Sequence, residues 1–283
     1  FLLFNKCDIL LSNDLDTLCA NFFISRLKKI KLIYDSHELF TEVPELLDRP
    51  IVKSIWIYIE RFLLKRINYA YAVSQSIADY YNKKYNLNML VISNFPVTRE
   101  KYSDHNAQNF KKIIYQGAIN KDRGVELMIG AMEYVDAKLY IVGGGDLLHD
   151  MMNYVKEKKL NNKVIFTGKL DFEELNSITH TADLGLSFEA DSCLAYRYSL
   201  PNKIFDYIHA GIPVLVSNLP EFRNIIEKYS VGFMLNSRDI QDVASQINQM
   251  ISYPKDRWAY NLLRAKKDCC WENQEGKLLS LFN

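Results

Sequence analysis

Tyr198-Ser199-Leu200-Pro201-Asn202-Lys203-Ile204-Phe205-Asp206-Tyr207-Ile208-His209-Ala210-Gly211-Ile212-Pro213-Val214-Leu215-Val216 reads as a short helix, closed by a glycine, that runs into a buried strand. Ser199 suits the N-cap and Pro201 the first turn. Gly211 suits the left-handed position after the last turn. Ile204, Phe205 and Ile208 form an apolar stripe, while Asn202, Asp206 and His209 fall on the other side with Lys203 beside them. A helix start beside a lysine can hold phosphate. A carboxylate one turn further in can accept hydrogen bonds from both hydroxyls of a ribose. A nucleotide diphosphate is therefore a ligand that this helix can grip.

Working outward, the flanking sequence alternates strands and helices. Lys112 to Gln116 reads as a strand leading into Gly117-Ala118-Ile119-Asn120-Lys121-Asp122-Arg123-Gly124, then a helix from Val125. Lys138 to Val142 ends in Gly143-Gly144-Gly145, and Val164-Ile165-Phe166 leads to Thr167-Gly168-Lys169-Leu170. Leu184–Phe188 is a further strand, and strands and helices continue to about residue 254. Three small-residue turns thus lie where strands give way to helices, and Arg123 in the first is suited to a phosphate. Alternation of this kind implies parallel sheets covered on both faces.

A comparable block precedes it. Strands are expected at Asp8–Leu11, Leu32–Tyr34, Tyr69–Val73 and Leu90–Ile92, with a polar loop at Ser12-Asn13-Asp14 and an amphipathic helix over 51–68. Asp35-Ser36-His37-Glu38 follows the second strand at its carboxyl end, the edge where open α/β sheets bind ligands. His37 there is suited to proton exchange near neutral pH. Asp14-Leu15-Asp16 precedes a helix, where acids favour the positive dipole end, and is not read as a metal site. His105, His149, His180 and His209 lack metal-ligand spacing and read as surface or structural, although His209 shares the Asp206 face.

The 283 residues, 48% of them hydrophobic, are enough for two domains. A net charge of +1 argues against nucleic acid as a partner. No apolar run reaches the length of a membrane-spanning helix. Five cysteines without metal-type spacing fit free thiols in a reducing compartment. The chain opens on Phe1, and Leu2-Leu3-Phe4 reads as the interior of a folded region, so the true N-terminus is expected to be missing from this sequence.

These motifs resemble the family 4 glycosyltransferases of GT-B fold. The resemblance rests on Tyr115-Gln116-Gly117 through Arg123-Gly124, Ile141 through Gly145, Val164 through Gly168 and Ser199 through Val214. In the first block it rests on Asn13 through Leu18, Tyr34 through Phe40, Val73-Ser74 and Ile92-Ser93-Asn94. It implies an α/β protein with two Rossmann-like domains facing across a cleft. Residues 1–97 would be the acceptor-side domain, 98–110 a linker, 111–254 the donor-binding domain, and 255–283 a helical segment packing back toward the first. The implied activity is hexosyl transfer from a UDP- or GDP-linked sugar to a hydroxyl of a glycan or lipid-linked acceptor, with retention. The implied setting is cell-surface polysaccharide synthesis in the cytoplasm, at the inner face of the membrane with peripheral membrane contact through helix 51–68. No cofactor and no metal are implied.

On matching positions the resemblance makes His37, Arg123 and Lys203 the catalytic group. Gly117, Arg123, Gly168, Lys169, Leu170, Ser199, Leu200, Asn202, Lys203 and Asp206 would bind the donor. Two departures stand out. The family often carries two glutamates eight positions apart, where this chain has Tyr198 and Asp206, so Glu189 or Asp191 would have to supply the missing acid. It also commonly carries an arginine where this chain has Ala118, which leaves phosphate pairing to Arg123 or Lys121. A nucleotide-sugar epimerase of the same fold and a non-catalytic nucleotide-sugar-binding subunit are the alternative readings.

Overall fold

The computed structural model describes residues 1–99 and 110–283. Most of the expected linker therefore lies outside the described residues, as does His105. The chain divides into two compact units. One comprises Phe1–Asn94, Asp191–Leu200 and Trp271–Asn283, the other Phe95–Ala190 and Pro201–Cys270.

The first unit is built on four parallel strands, β1 (Ile9–Asn13), β2 (Lys31–Ser36), β3 (Tyr69–Ala72) and β4 (Leu90–Val91), in that spatial order. Ser12 and Asn13 continue β1 instead of forming a loop, because they pair with Tyr34 and Asp35. Helix Asp14–Lys28 carries Asp14 and Asp16 in its first turn and Arg26 and Lys28 in its last, each complementing the dipole end it occupies. Helix Pro50–Leu64 buries Leu63 and Leu64 with Leu15, Leu18, Tyr34 and Tyr81 in one apolar cluster. Ser74 caps helix Gln75–Tyr85 through the Ile77 amide.

The second unit has six parallel strands: β5 (Lys112–Gln116), β6 (Lys138–Val142), β7 (Val164–Gly168), β8 (Leu184–Ser187), β9 (Val214–Val216) and β10 (Gly232–Met234). Their order is β10-β9-β8-β5-β6-β7. Every residue of β5 and β8 is buried, as expected of central strands covered on both faces. The chain leaves β5 toward β6 and β7, then returns to build β8, β9 and β10 on the other side. Connections from β5 and β8 therefore part in opposite directions, and their carboxyl ends flank the crevice where such sheets bind ligands.

Two sequence expectations change here. The helix of the diagnostic segment begins at Lys203, not after Ser199. Asn202 already has helical backbone angles without a capping side chain, and the Ser199 hydroxyl donates to the Tyr196 carbonyl at 2.8 Å. The closing segment is not one body. Helix Ala259–Asp268 belongs to the second unit, whereas helix Glu272–Ser280 belongs to the first, where Leu281 packs with Ile33, Tyr71 and Ile92.

Candidate active site

In the second unit, charged groups gather at the carboxyl ends of β5 and β8. Glu189, two residues past β8, is fully buried. Its Oε1 accepts from Lys203 Nζ at 2.8 Å and lies 3.8 Å from Arg123 Nη1, while Oε2 accepts from the Ser187 hydroxyl at 2.7 Å. Burial alone would raise the Glu189 carboxyl, but the Lys203 ammonium and the hydrogen bonds outweigh it and hold the group below its ordinary value. Burial pulls the Lys203 ammonium down, and Glu189 offsets only part of this. One carboxylate is thus shared by two cations.

Helix Lys203–Ala210 aims this lysine because its next turns are anchored in the sheet. The Tyr207 hydroxyl accepts from the Gln116 amide at 3.1 Å and lies 3.3 Å from the Leu186 carbonyl, so it ties β5 to β8. Lys203 Nζ then stands 4.3 Å from the centre of the Tyr115 ring. Asp206, one turn from Lys203, accepts from Gln116 Nε2 at 2.7 Å. Burial pushes its carboxyl up to about 6, with the Gln116 bond acting the other way.

The glycine turns are laced together beside this cluster. Gly117 has φ +140°, and a Cβ there would stand 3.5 Å from Lys203 Nζ. The Gly117 amide donates to Val142, Ile119 to Gly144, and Gly143 to Gly168. A Cβ on Gly143 would overlap the Gly117 carbonyl oxygen, so the two turns can approach only with glycine there. Lys169 is exposed, Leu170 is half-buried, and nothing lies within 4 Å of the Cβ position of Gly168.

The structure thus brings Gly117, Arg123, Lys203 and Asp206 together, with Gly168, Lys169 and Leu170 on the adjoining turn and exposed Asn202 before the helix. Ser199 and Leu200 fall in the other unit. Lys121 is exposed, and Asp191 pairs with Arg197 at 2.8 Å in the first unit. Of the two acids suggested for the missing glutamate, Glu189 is the one that meets the cations. His209 Nε2 lies 2.7 Å from the Cys269 carbonyl, and His180 Nδ1 lies 2.8 Å from the Asn176 carbonyl. Arg238 escaped the sequence reading because it belongs to no motif; its guanidinium donates to the Phe188 carbonyl at 3.1 Å and helps fix the backbone that leads to Glu189.

The first unit holds a second constellation, at the end of β2. His37 Nε2 lies 2.8 Å from Asp35 Oδ2, which also accepts from the Tyr71 hydroxyl at 2.7 Å. The His37 amide donates to Asp14 Oδ1 at 2.9 Å. The Asp35 hydrogen bond raises the His37 imidazole above its ordinary value, against the pull of burial. Asp14 therefore holds the histidine loop by hydrogen bonding. Sequence spacing could not reveal the Tyr71 contact, because it joins two neighbouring strands.

A family model described as "Glycosyl transferases group 1" matches residues 98–261, more than half of the chain. The chain belongs to this family. This group 1 member is 23% identical over 256 residues to chitobiosyldiphosphodolichol beta-mannosyltransferase of Candida albicans, a match covering 80% of this chain and 55% of that protein. The chain spans about half the length of the curated relatives it matches. Sucrose-phosphate synthase of Thermosynechococcus elongatus shares its fold with a TM-score of 0.79 and 17% identity over 97% of this chain and 73% of that one. HepE of Anabaena, solved with UDP-glucose, gives a TM-score of 0.78 and 17% identity over 96% and 78%. The fold is thus the two-sheet α/β architecture of the GT-B glycosyltransferases.

Proposed function

We propose that this protein transfers a hexosyl group from a UDP- or GDP-linked sugar to an acceptor hydroxyl, with retention and without a bound metal, during synthesis of a cell-surface polysaccharide or related glycan. The observation that carries the reading is the single carboxylate, Glu189, shared by Lys203 and Arg123 at the crevice between β5 and β8. As the bond from the sugar to the diphosphate breaks, negative charge builds on the leaving phosphate. Fixed cations in a water-poor site stabilise that charge in the transition state. Asp206 accepts from the ribose hydroxyls, and the open turn at Gly168, Lys169 and Leu170 leaves room for the base. His37, held by Asp35, takes up the proton of the incoming hydroxyl. The UDP-glucose bound by HepE supports a donor of this chemical class.

Among the described residues no helix is long and apolar enough to cross a membrane. Ile51, Ile55 and Tyr58 are exposed on helix Pro50–Leu64 beside Arg61 and Lys65, which supports peripheral contact with the inner face of a membrane. The decisive experiment is calorimetric titration with UDP and GDP, together with release of labelled sugar from the matching donors. The reading requires binding of one nucleotide and loss of turnover in Lys203→Ala and Arg123→Ala. Donor turnover that survives both substitutions would overturn the site. Binding without turnover in the wild-type chain would favour the non-catalytic subunit.

A further inference from the structure

The amino edge of the first sheet carries a polar site of its own, at the opposite end of β2 from His37. A cavity of about 300 Å³ opens there among the ends of helices Asp14–Lys28 and Pro50–Leu64 and the starts of β2 and β3. Arg26, Lys29, Lys31 and Arg66 line it, with Phe22 and Ile67 buried beneath, and no carboxylate side chain contributes to its wall. Elsewhere in this unit cations meet carboxylates, as in Lys53–Glu42 at 2.8 Å and Lys84–Glu60 at 2.9 Å. Among the described residues, the ion pairs include none of these four cations.

The hydrogen bonds of the two arginines run to carbonyl oxygens instead. Arg26 Nη2 donates to Arg66 O at 3.0 Å, Arg66 Nη1 to Phe62 O at 2.6 Å, and Lys31 Nζ to Asn283 O at 2.9 Å. The two arginine bonds satisfy carbonyls at the end of helix Pro50–Leu64 but cancel no full charge. A guanidinium has five N–H donors, so one carbonyl leaves most of its fork available to a phosphate. Like charges gathered around one hollow repel one another; the partial negative ends of the two helices offset part of that repulsion, and a bound anion relieves the rest. The apolar floor adds a preference for a ligand that is not all charge.

We infer that this cavity binds a phosphate-bearing anion, with Arg26, Arg66, Lys29 and Lys31 around the phosphate and Phe22 and Ile67 beneath its less polar part. The phosphate can come from a soluble compound or from a lipid headgroup. Phe23 and Leu27, 58% and 69% exposed on the helix that carries Arg26, would enter the bilayer in the second case. The site lies in the first unit, so it stands independently of the donor site in the second.

The test uses the full chain carrying Lys203→Ala, which removes the donor-site lysine from the measurement. Inorganic pyrophosphate is titrated by calorimetry. In parallel, the protein is sedimented with phosphatidylcholine vesicles with and without phosphatidylglycerol. Saturable pyrophosphate binding, or pelleting that needs phosphatidylglycerol, should weaken about fivefold or more when Lys29→Gln and Lys31→Gln are combined. Removing equal charge outside the cavity, by Lys156→Gln with Lys159→Gln on the second unit, should weaken it by less than about twofold. Should the first pair fail to give a cooperative melt, Lys29→Gln alone takes its place with the same direction expected. Binding in the pyrophosphate arm assigns a soluble ligand, and binding confined to vesicles assigns the headgroup. No binding in either arm, or equal weakening by the two pairs, overturns the site.

Discussion

The carboxyl edges of the two sheets carry opposite electrostatic designs. In the second unit two cations share one buried acid, Glu189. In the first, two acids, Asp14 and Asp35, hold one histidine whose side chain is 40% exposed. Surplus positive charge in a dry crevice suits the stabilisation of a leaving diphosphate. A histidine braced by carboxylates and open to water suits proton transfer. Burial separates the tasks, because a charge kept from water acts strongly on a ligand, whereas a proton acceptor must exchange.

The harshest test of this contrast is Lys203→Ala. Donor turnover should fall about 10²- to 10³-fold. The fold should also lose roughly 3 kcal/mol, because Glu189 keeps its charge without its nearest partner. Adding Glu189→Gln should recover most of the melting temperature and none of the turnover. Recovery of both would mean that the cluster is structural.

His37→Ala should lower transfer to the acceptor about 10²-fold while leaving UDP or GDP affinity unchanged in calorimetry. A parallel loss of nucleotide affinity would erase the division of labour. Asp206→Ala has a smaller expected effect, about tenfold weaker nucleotide binding, as for the loss of a hydrogen bond to a charged group. Because burial pushes the Asp206 carboxyl up to about 6, nucleotide affinity should rise between pH 5 and 7 and be flat in Asp206→Asn. The stability sign is the reverse. A raised carboxyl stabilises the fold fully below its unfolded value near 3.8, and that advantage is lost as pH rises through about 6. Denaturant melts of wild type against Asp206→Asn should show it.

The smallest effect concerns Asp35→Asn. Asp35 raises the His37 imidazole, so its contribution to stability is full below 6.5 and lost as pH rises through the higher folded value. Half exposure limits this to less than about 1 kcal/mol. A melting difference between wild type and variant that grows with pH would contradict the assignment.

The sequence carried the local grammar because strands and helices answer to burial period and capping. Lys112 to Gln116, Lys138 to Val142 and Gly211 as a C-terminal left-handed residue were all legible in it. Its chief local error was the start of the diagnostic helix, where Ser199 offered good capping chemistry but bonds back to Tyr196 instead. Spacing within the helix placed Lys203 and Asp206 one turn apart, and the glycine turn marked Arg123. Whether those groups met was a tertiary question. Only the order of β8 beside β5 delivered Glu189 to both cations, and only the pairing of β3 with β2 put Tyr71 on Asp35. Periodicity reports which face of an element avoids water, but a partner 14 or 36 residues away is chosen by how the sheets are ordered.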